Sequence, residues 1–394
     1  MQQQTLLIGI DGGATKVSAW EIFYDQQQKT FSLGKANATR SYRETDGFIP
    51  NFKPVDLNVQ LNERNAEIHL TNEEKQQAAV YVEACAQAVW ELSKRTGRKR
   101  VLTGIGMPGL KSEDKRGIAV VANGPRMVDY ARQLEKRLVE LNIELAAPIS
   151  HLGSDADYCG IGENYAAEGV FRSVSNAYYL GGGTGVADAM KLEGELVTFD
   201  NAKAWMAKTW EMKSAAGISL ELVTSVSGIQ KTYAGFAGES VEELNEAGIY
   251  PLQIAQRAKQ GEKAALDTFE VVNQNLAELL YERIVTLNQG WKHLFEFVNP
   301  NRANLESDHP YKGKVFDAIV IGQRLGDLFD DKYGREIVSK PILEQLDERI
   351  QNSDFLSDEV KAHYKNLDTI IRVSKLREAP ALGAGVDAFL TEQL

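Results

Sequence analysis

Two stretches of this 394-residue chain repeat one pattern that few folds can use twice: a strand, a glycine-rich turn and a second strand. In the first, Leu6, Ile8 and Ile10 alternate through residues 5–11, the turn reads Asp11-Gly12-Gly13-Ala14-Thr15-Lys16, and residues 17–22 leave as a strand. In the second, a β-rich alternation over 176–180 meets Gly181-Gly182-Gly183-Thr184-Gly185 and leaves as the apolar strand 186–190. Glycines let backbone N–H groups face an anion with no side chain in the way, and Thr184 adds a hydroxyl donor. That suits a nucleotide phosphate. A P-loop is excluded because no Lys-Ser/Thr follows the glycines, and a dinucleotide-binding turn because a strand rather than a helix follows them. A single such turn is equally well read as a plain glycine-rich hairpin; two in one chain favour phosphate binding.

Carboxylates stand beside both turns. Asp11, at the mouth of the first, is the hard oxygen ligand that Mg²⁺ on a phosphate takes, usually through water. Lys16 leaves the same turn and can neutralise phosphate charge, although a lone lysine there is also stable in water. Ahead of the second turn, the apolar segment 147–152 delivers Asp155 at its end, before a helix-compatible run from Ala156. A carboxylate at a strand end beside a phosphate turn is placed to accept a proton, and equally to cap the helix that follows. Asp157 is the competing carboxylate.

These residues carry a family resemblance. LIGIDGGATK at the N-terminus, IGMPG at 105–109, SDA at 154–156 and LGGGTG at 180–185 resemble the ROK family (repressor, open reading frame, kinase) of the sugar kinase, actin and heat-shock chaperone superfamily. Gly217-Ile218-Ser219-Leu220-Glu221, IVIGQRLGDLF at 319–329 and ALGAGVDAF at 381–389 extend the match in the family's order.

The resemblance implies an α/β, two-domain ribonuclease-H-like (actin-like ATPase) fold with an interdomain cleft. Domains are expected over 1–152 and 153–381, with a C-terminal helix, 382–394, packing back on the first. It implies an ATP- and Mg²⁺-dependent sugar kinase in which Asp155 is the general base. Nucleotide ligands would be Asp11, Gly12, Gly13, Thr15, Lys16, Gly182, Gly183, Thr184 and Gly185, with Gly322 and Gln323 at the adenosine; glutamine there replaces the family's usual second glycine. Sugar ligands would be Pro108, Gly109, Asn123, Ser154, Asp155, Glu211, Ser214 and Glu221. Two of these depart from the family: Ser154 replaces an asparagine and Ser214 a histidine. Serine is shorter and withdraws a donor, so glucose is expected to be a poor substrate and a larger, N-acylated or oligosaccharide-borne hexose a better one.

Composition bounds the alternatives. A net charge of −11 disfavours a nucleic-acid partner but not an anionic nucleotide held by amides and a cation. Cys85 and Cys159 are the only cysteines, too few for a disulfide framework or the cysteine-rich zinc motif that many ROK proteins carry near 214–219; packing is expected to hold that segment. No basic-plus-apolar leader and no membrane-length apolar run are present, so a cytoplasmic protein without a membrane partner is expected. A strand beginning at Thr5 leaves no room for the helix-turn-helix of a ROK repressor. The competing reading is a non-catalytic sugar or nucleotide sensor.

Elsewhere the pattern predicts a third strand over 30–36, helices over 71–97 and 127–141, strands over 101–105, 195–199, 315–321 and 369–373, and a mostly helical scaffold over 241–298. The polar stretch 37–70 exceeds an ordinary connection and reads as an insertion: a surface excursion or, alternatively, a lid or the contact of a homodimer. Trp205 and Trp210 read as core residues that could also face a sugar substituent.

Overall fold

The computed structural model describes residues 5–64 and 66–393; the first four residues, read above as lacking a leader, lie outside these together with Asn65 and Leu394. By internal contacts the chain divides into a first unit, Met1–Glu168 with Glu378–Leu394, and a second, Gly169–Arg377. The break therefore falls at Glu168 rather than at residue 152, and the return at Glu378 rather than at 382.

In the first unit, β1 (Leu6–Gly12), β2 (Lys16–Asp25) and β3 (Thr30–Ser41) form an antiparallel meander. β3 runs past the expected end at 36 because Ala38 stays buried and pairing with β2 continues to Ser41. Then follow α1 (Leu57–Arg64), α2 (Asn72–Thr96), β4 (Arg100–Gly106) and a short ribbon of β5 (Leu110–Lys111) and β6 (Ile118–Val120). The sequence continues through α3 (Tyr130–Glu140), β7 (Glu144–Leu145), β8 (Leu152–Gly153) and α4 (Asp155–Tyr165). Among the described residues the sheet has six strands, in the order β3-β2-β1-β4-β7 with β8 also on β4; β1, β4 and β8 are parallel.

Local chemistry sets the helices. α2 opens on a reciprocal cap, Thr71 accepting from the Glu74 amide and Glu74 from the Thr71 amide, and stops at Gly97 in the left-handed region. Ala78, Val82, Cys85, Val89 and Leu92 form its buried stripe. α3 starts later than the expected 127 because Met127 pairs with Ile118 instead. On the other sheet face lies the closing helix Ala379–Gln393. Its backbone sits so low that a Cβ on Gly9 or Gly104 would fall 1.8 or 1.7 Å from the Ala381 or Ala384 carbonyl oxygen. α4 packs on this helix at Gly162, which keeps Asp155 in the first unit.

The insertion is held by buried polar contacts rather than loosely draped. The Gln60 amide donates to the Val55 and Val121 carbonyls and accepts from the Val121 amide. Arg126, 1% exposed, grips both oxygens of Glu74, the Glu63 carboxylate and the His69 carbonyl. Removing one partner from such a buried pair strands a charge and costs about 3–5 kcal/mol.

The second unit repeats the first sheet's topology. β9 (Ala177–Gly182), β10 (Val186–Leu192) and β11 (Glu195–Val197) are an antiparallel meander, and β12 (Ala318–Gly322) and β13 (Ile371–Val373) add in parallel, giving β11-β10-β9-β12-β13. The strand expected over 195–199 ends at Val197, since Thr198 caps the helical turn Phe199–Ala202. Of the scaffold, Val241–Glu246, Pro251–Lys259 and Lys263–Gln289 are helical; the last stops at Gly290, and 291–298 is not helical. No helix among the described residues is long and apolar enough to cross a membrane.

Candidate functional site

The parallel register of three strands assembles the first half of the site. Asp11 on β1 stands opposite Gly106 on β4, and Gly106 opposite Gly153 on β8. Residues that follow these strand ends therefore share one edge: the Asp11 turn, Met107-Pro108-Gly109 and Ser154-Asp155. Ligands in open parallel α/β sheets bind at such carboxyl ends. Gly12 is packed by Met107, whose methyl carbon would lie 2.9 Å from an added Cβ. Gly109 has φ +97°, and its carbonyl and that of Met107 are held by the Lys111 ammonium.

Asp155 is not the cap of its helix. Ser154 takes that place, its hydroxyl accepting from the Asp157 amide, and Asp155 occupies the first turn. Its carboxylate accepts from the neighbouring Ala156 amide. Asp11 is different. Burial first, then the negative charges of Asp155 and Glu378, push its carboxyl up to about 7, with Lys16 pulling the other way. Asp155 therefore lies near enough to Asp11 to act on it electrostatically. Glu378, which no motif marked, joins them because the closing helix begins beside β1.

Three mutually repelling carboxyl groups near a phosphate-sized turn fit a cation. Among the described residues no three acidic, histidine or cysteine side chains converge as a cage. Asp11 is the residue that would hold a Mg²⁺, with its other ligands left to water and phosphate oxygens.

Each turn is closed by one backbone bond of its own. In the first, the Gly13 amide closes the hairpin on the Lys16 carbonyl, while the Ala14 and Thr15 carbonyls are held from behind by the Tyr81 hydroxyl and the Tyr42 amide. In the second, the Gly183 amide bonds the Gly185 carbonyl, and the Ser227 amide holds the Gly183 carbonyl. Among the described residues no hydrogen bond uses the amides of Ala14, Thr15, Thr184 or Gly185. Successive free amides in a turn are donors that an anion can take.

The remaining second-unit residues are distributed unevenly. Gly322 opens the helix Gln323–Asp330. Gln323 keeps a left-handed φ of +55° without being glycine, and its side-chain oxygen lies over Gly181 and Gly183. Glu221 lies behind the second turn, accepting from the Val186 amide and pressing on Gly185. Glu211 is tied down: Arg302 grips both its oxygens at 2.7 and 3.3 Å, and it also accepts from the Lys208 amide. The Ser214 hydroxyl is buried with no partner among the described residues, in a tight turn closed by Ile218 and Gly217.

This segment is fastened without cysteines. Met212 bridges Phe297, the Lys213 amide bonds the Glu296 carbonyl, and Thr209 bonds Asp188, which also meets buried Arg283. Trp205 stacks on His309 in the core, at 4.1 Å, whereas Trp210 is half exposed. Asn123 is exposed on the first unit beside the Thr15 turn.

No protein-family model matches the chain, and comparison with curated proteins gives no match. Solved structures do match along the whole length. A ROK family glucokinase from Streptomyces griseus, in complex with glucose and AMPPNP, is 15% identical over 98% of this chain and 99% of its own, with a TM-score of 0.59. A ROK hexokinase from Thermus thermophilus is 14% identical over 99% of each chain, TM-score 0.55. A ROK family transcriptional regulator, a homolog of the E. coli MLC protein, is 12% identical over 97% of this chain and 78% of its own, TM-score 0.52. At these identities the likeness is one of fold. The chain has the actin-like ATPase fold of the ROK sugar kinases, the fold that its motifs imply.

Proposed function

We propose that this protein is an ATP-dependent sugar kinase. The observation that carries the reading is the meeting of Asp155 and Asp11 where three parallel strands end, beside a glycine-rich turn. Asp155 takes the proton from a sugar hydroxyl while that oxygen bonds the γ-phosphorus and the bond from phosphorus to the bridging oxygen of ADP breaks. The turn amides, Thr184 and Lys16 donate to phosphate oxygens; Gly322 and Gln323 contact the adenosine. Asp11 would hold Mg²⁺, which would neutralise charge on the phosphates. Pro108, Gly109, Asn123 and Ser154 are the proposed acceptor contacts of the first unit, and Glu211, Ser214 and Glu221, whose carboxylates are engaged or whose hydroxyl is buried, those of the second. An ATP-consuming reaction belongs in the cytoplasm. A coupled ADP-release assay over hexoses and amino sugars tests the proposal: turnover with at least one sugar, abolished by Asp155→Asn, supports it.

A second reading, a sensor that binds sugar or nucleotide without turnover, is favoured by the same Glu211–Arg302 pair and by the two serine replacements. Calorimetric binding of ATP and a sugar with no ADP release in the wild type would select it.

A further inference from the structure

The insertion builds a pocket of about 270 Å³ in the first unit. Its floor is the stacked pair Tyr42 and Tyr81, ring centroids 3.7 Å apart. Phe48 and Phe52, with the prolines at 50 and 54, form a wall contributed wholly by the insertion. The rim is Thr15 of the phosphate turn on one side and Asn123 on the other. Pocket and turn are one construction, since the Tyr81 hydroxyl that supports the Ala14 carbonyl belongs to the floor ring. The wall is fixed in place: the Ile49 amide donates to Gln77, and the Gln76 amide to the Gly47 carbonyl, both from α2.

Size and lining restrict the occupant. Whole small-molecule ligands commonly need roughly 300–1,000 Å³, so this space holds one ring of a larger ligand. Aromatic walls suit a ring with apolar faces. Asn123 and Thr15 at the margins suit hydroxyls on its edges, and the Tyr42 hydroxyl is buried with no partner among the described residues. The only charged residue in the lining is Arg43, which is exposed, so nothing there neutralises a buried charge.

We infer that this pocket is a subsite for a second sugar ring linked to the sugar that receives the phosphoryl group, so that the acceptor is a disaccharide. The inference rests on the kinase reading for the transfer step, and on the pocket alone for binding.

The test compares maltose, cellobiose and lactose with glucose, galactose, N-acetylglucosamine and 4-nitrophenyl glucoside, by ADP release and by calorimetry. It uses the wild type, Phe52→Ala, which opens the wall, and Ala122→Trp, which fills the pocket from an exposed position and leaves the core intact. A disaccharide leading the monosaccharides at least tenfold, with that ratio falling toward one in both variants, is the expected result. A simple or N-acetylated hexose leading, a ratio unmoved by Ala122→Trp, or the nitrophenyl glycoside binding tightest overturns it. Disaccharide binding that both variants weaken, without turnover of any sugar, sinks the kinase reading and keeps the subsite. Monosaccharide turnover with no gain from a second ring does the reverse.

Discussion

The two glycine hairpins close sheets of the same topology, yet they are chemically unequal. Gly12 pairs with Val17 as Gly182 pairs with Val186, so Asp11 and Gly181 hold equivalent positions. In the first unit that position is a carboxylate raised to about 7, with Asp155 and Glu378 near it. In the second it is a glycine, and an added Cβ would strike Tyr179 and the Gln323 side chain. The first turn therefore concentrates charge, while the second offers amides backed by Glu221 and Gln323. The two hairpins share a backbone pattern, and only the first carries an acid at this position. Under the proposed kinase reading the first unit is the place of proton transfer and the second a grip.

The largest effect that would break this division is catalytic. Asp155→Asn should lower turnover by roughly 10²–10⁴-fold while calorimetry still shows ATP binding. Wild-type-like turnover in that variant, with Asp157→Asn inactive, would move the base along α4.

The grip can be tested where a side chain fits. At Gly13 and Gly183 the nearest atoms to an added Cβ lie 3.4 and 3.6 Å away, whereas at Gly12 and Gly182 they lie within 3.0 Å. Gly13→Val and Gly183→Val should each fold and lose ATP affinity by about tenfold or more, about 1.4 kcal/mol. The same change at Gly12 or Gly182 should lower thermal stability as well, by about 1–3 kcal/mol through overpacking. Unchanged affinity in both folded variants would remove the phosphate assignment from the turns.

The concentrated charge predicts a pH signature. The Asp11 carboxyl is raised from 3.8 to about 7 in the folded state, so the folded protein binds the extra proton between those values. Its contribution to stability is complete below the unfolded value and is lost as pH rises through about 7. Melting without ligand should therefore show a stability loss from pH 5 to 8 that Asp11→Asn flattens. Mg²⁺ with ATP should reverse the trend, because a cation favours the ionised carboxylate. A wild-type slope matching that of Asp11→Asn would contradict it.

The smallest effect concerns Gln323. Its left-handed backbone would be relaxed by glycine, but glycine adds chain entropy of about 0.5–1 kcal/mol to the unfolded state. Gln323→Gly should thus melt near the wild type while weakening ATP binding; unchanged affinity would drop Gln323 from the nucleotide contacts.

The hairpins were legible in the sequence because their signals are local: alternating apolar residues, glycines where amides must be uncovered, and an exit strand instead of a helix. That Asp155 follows a strand end was legible for the same reason, since such an end is written in a few adjacent residues. Tertiary structure alone decided who stands next to whom. Parallel register set Asp11 beside Asp155, and the closing helix brought Glu378 to them from the far end of the chain. Arg302 took the carboxylate of Glu211 across 91 residues of sequence, Glu221 went to the second turn, and an insertion that reads as surface became a pocket wall through Gln60 and Arg126. These are pairings between distant residues, each needing only a partner of the right chemistry, and no local spacing encodes which partner the folded chain will supply.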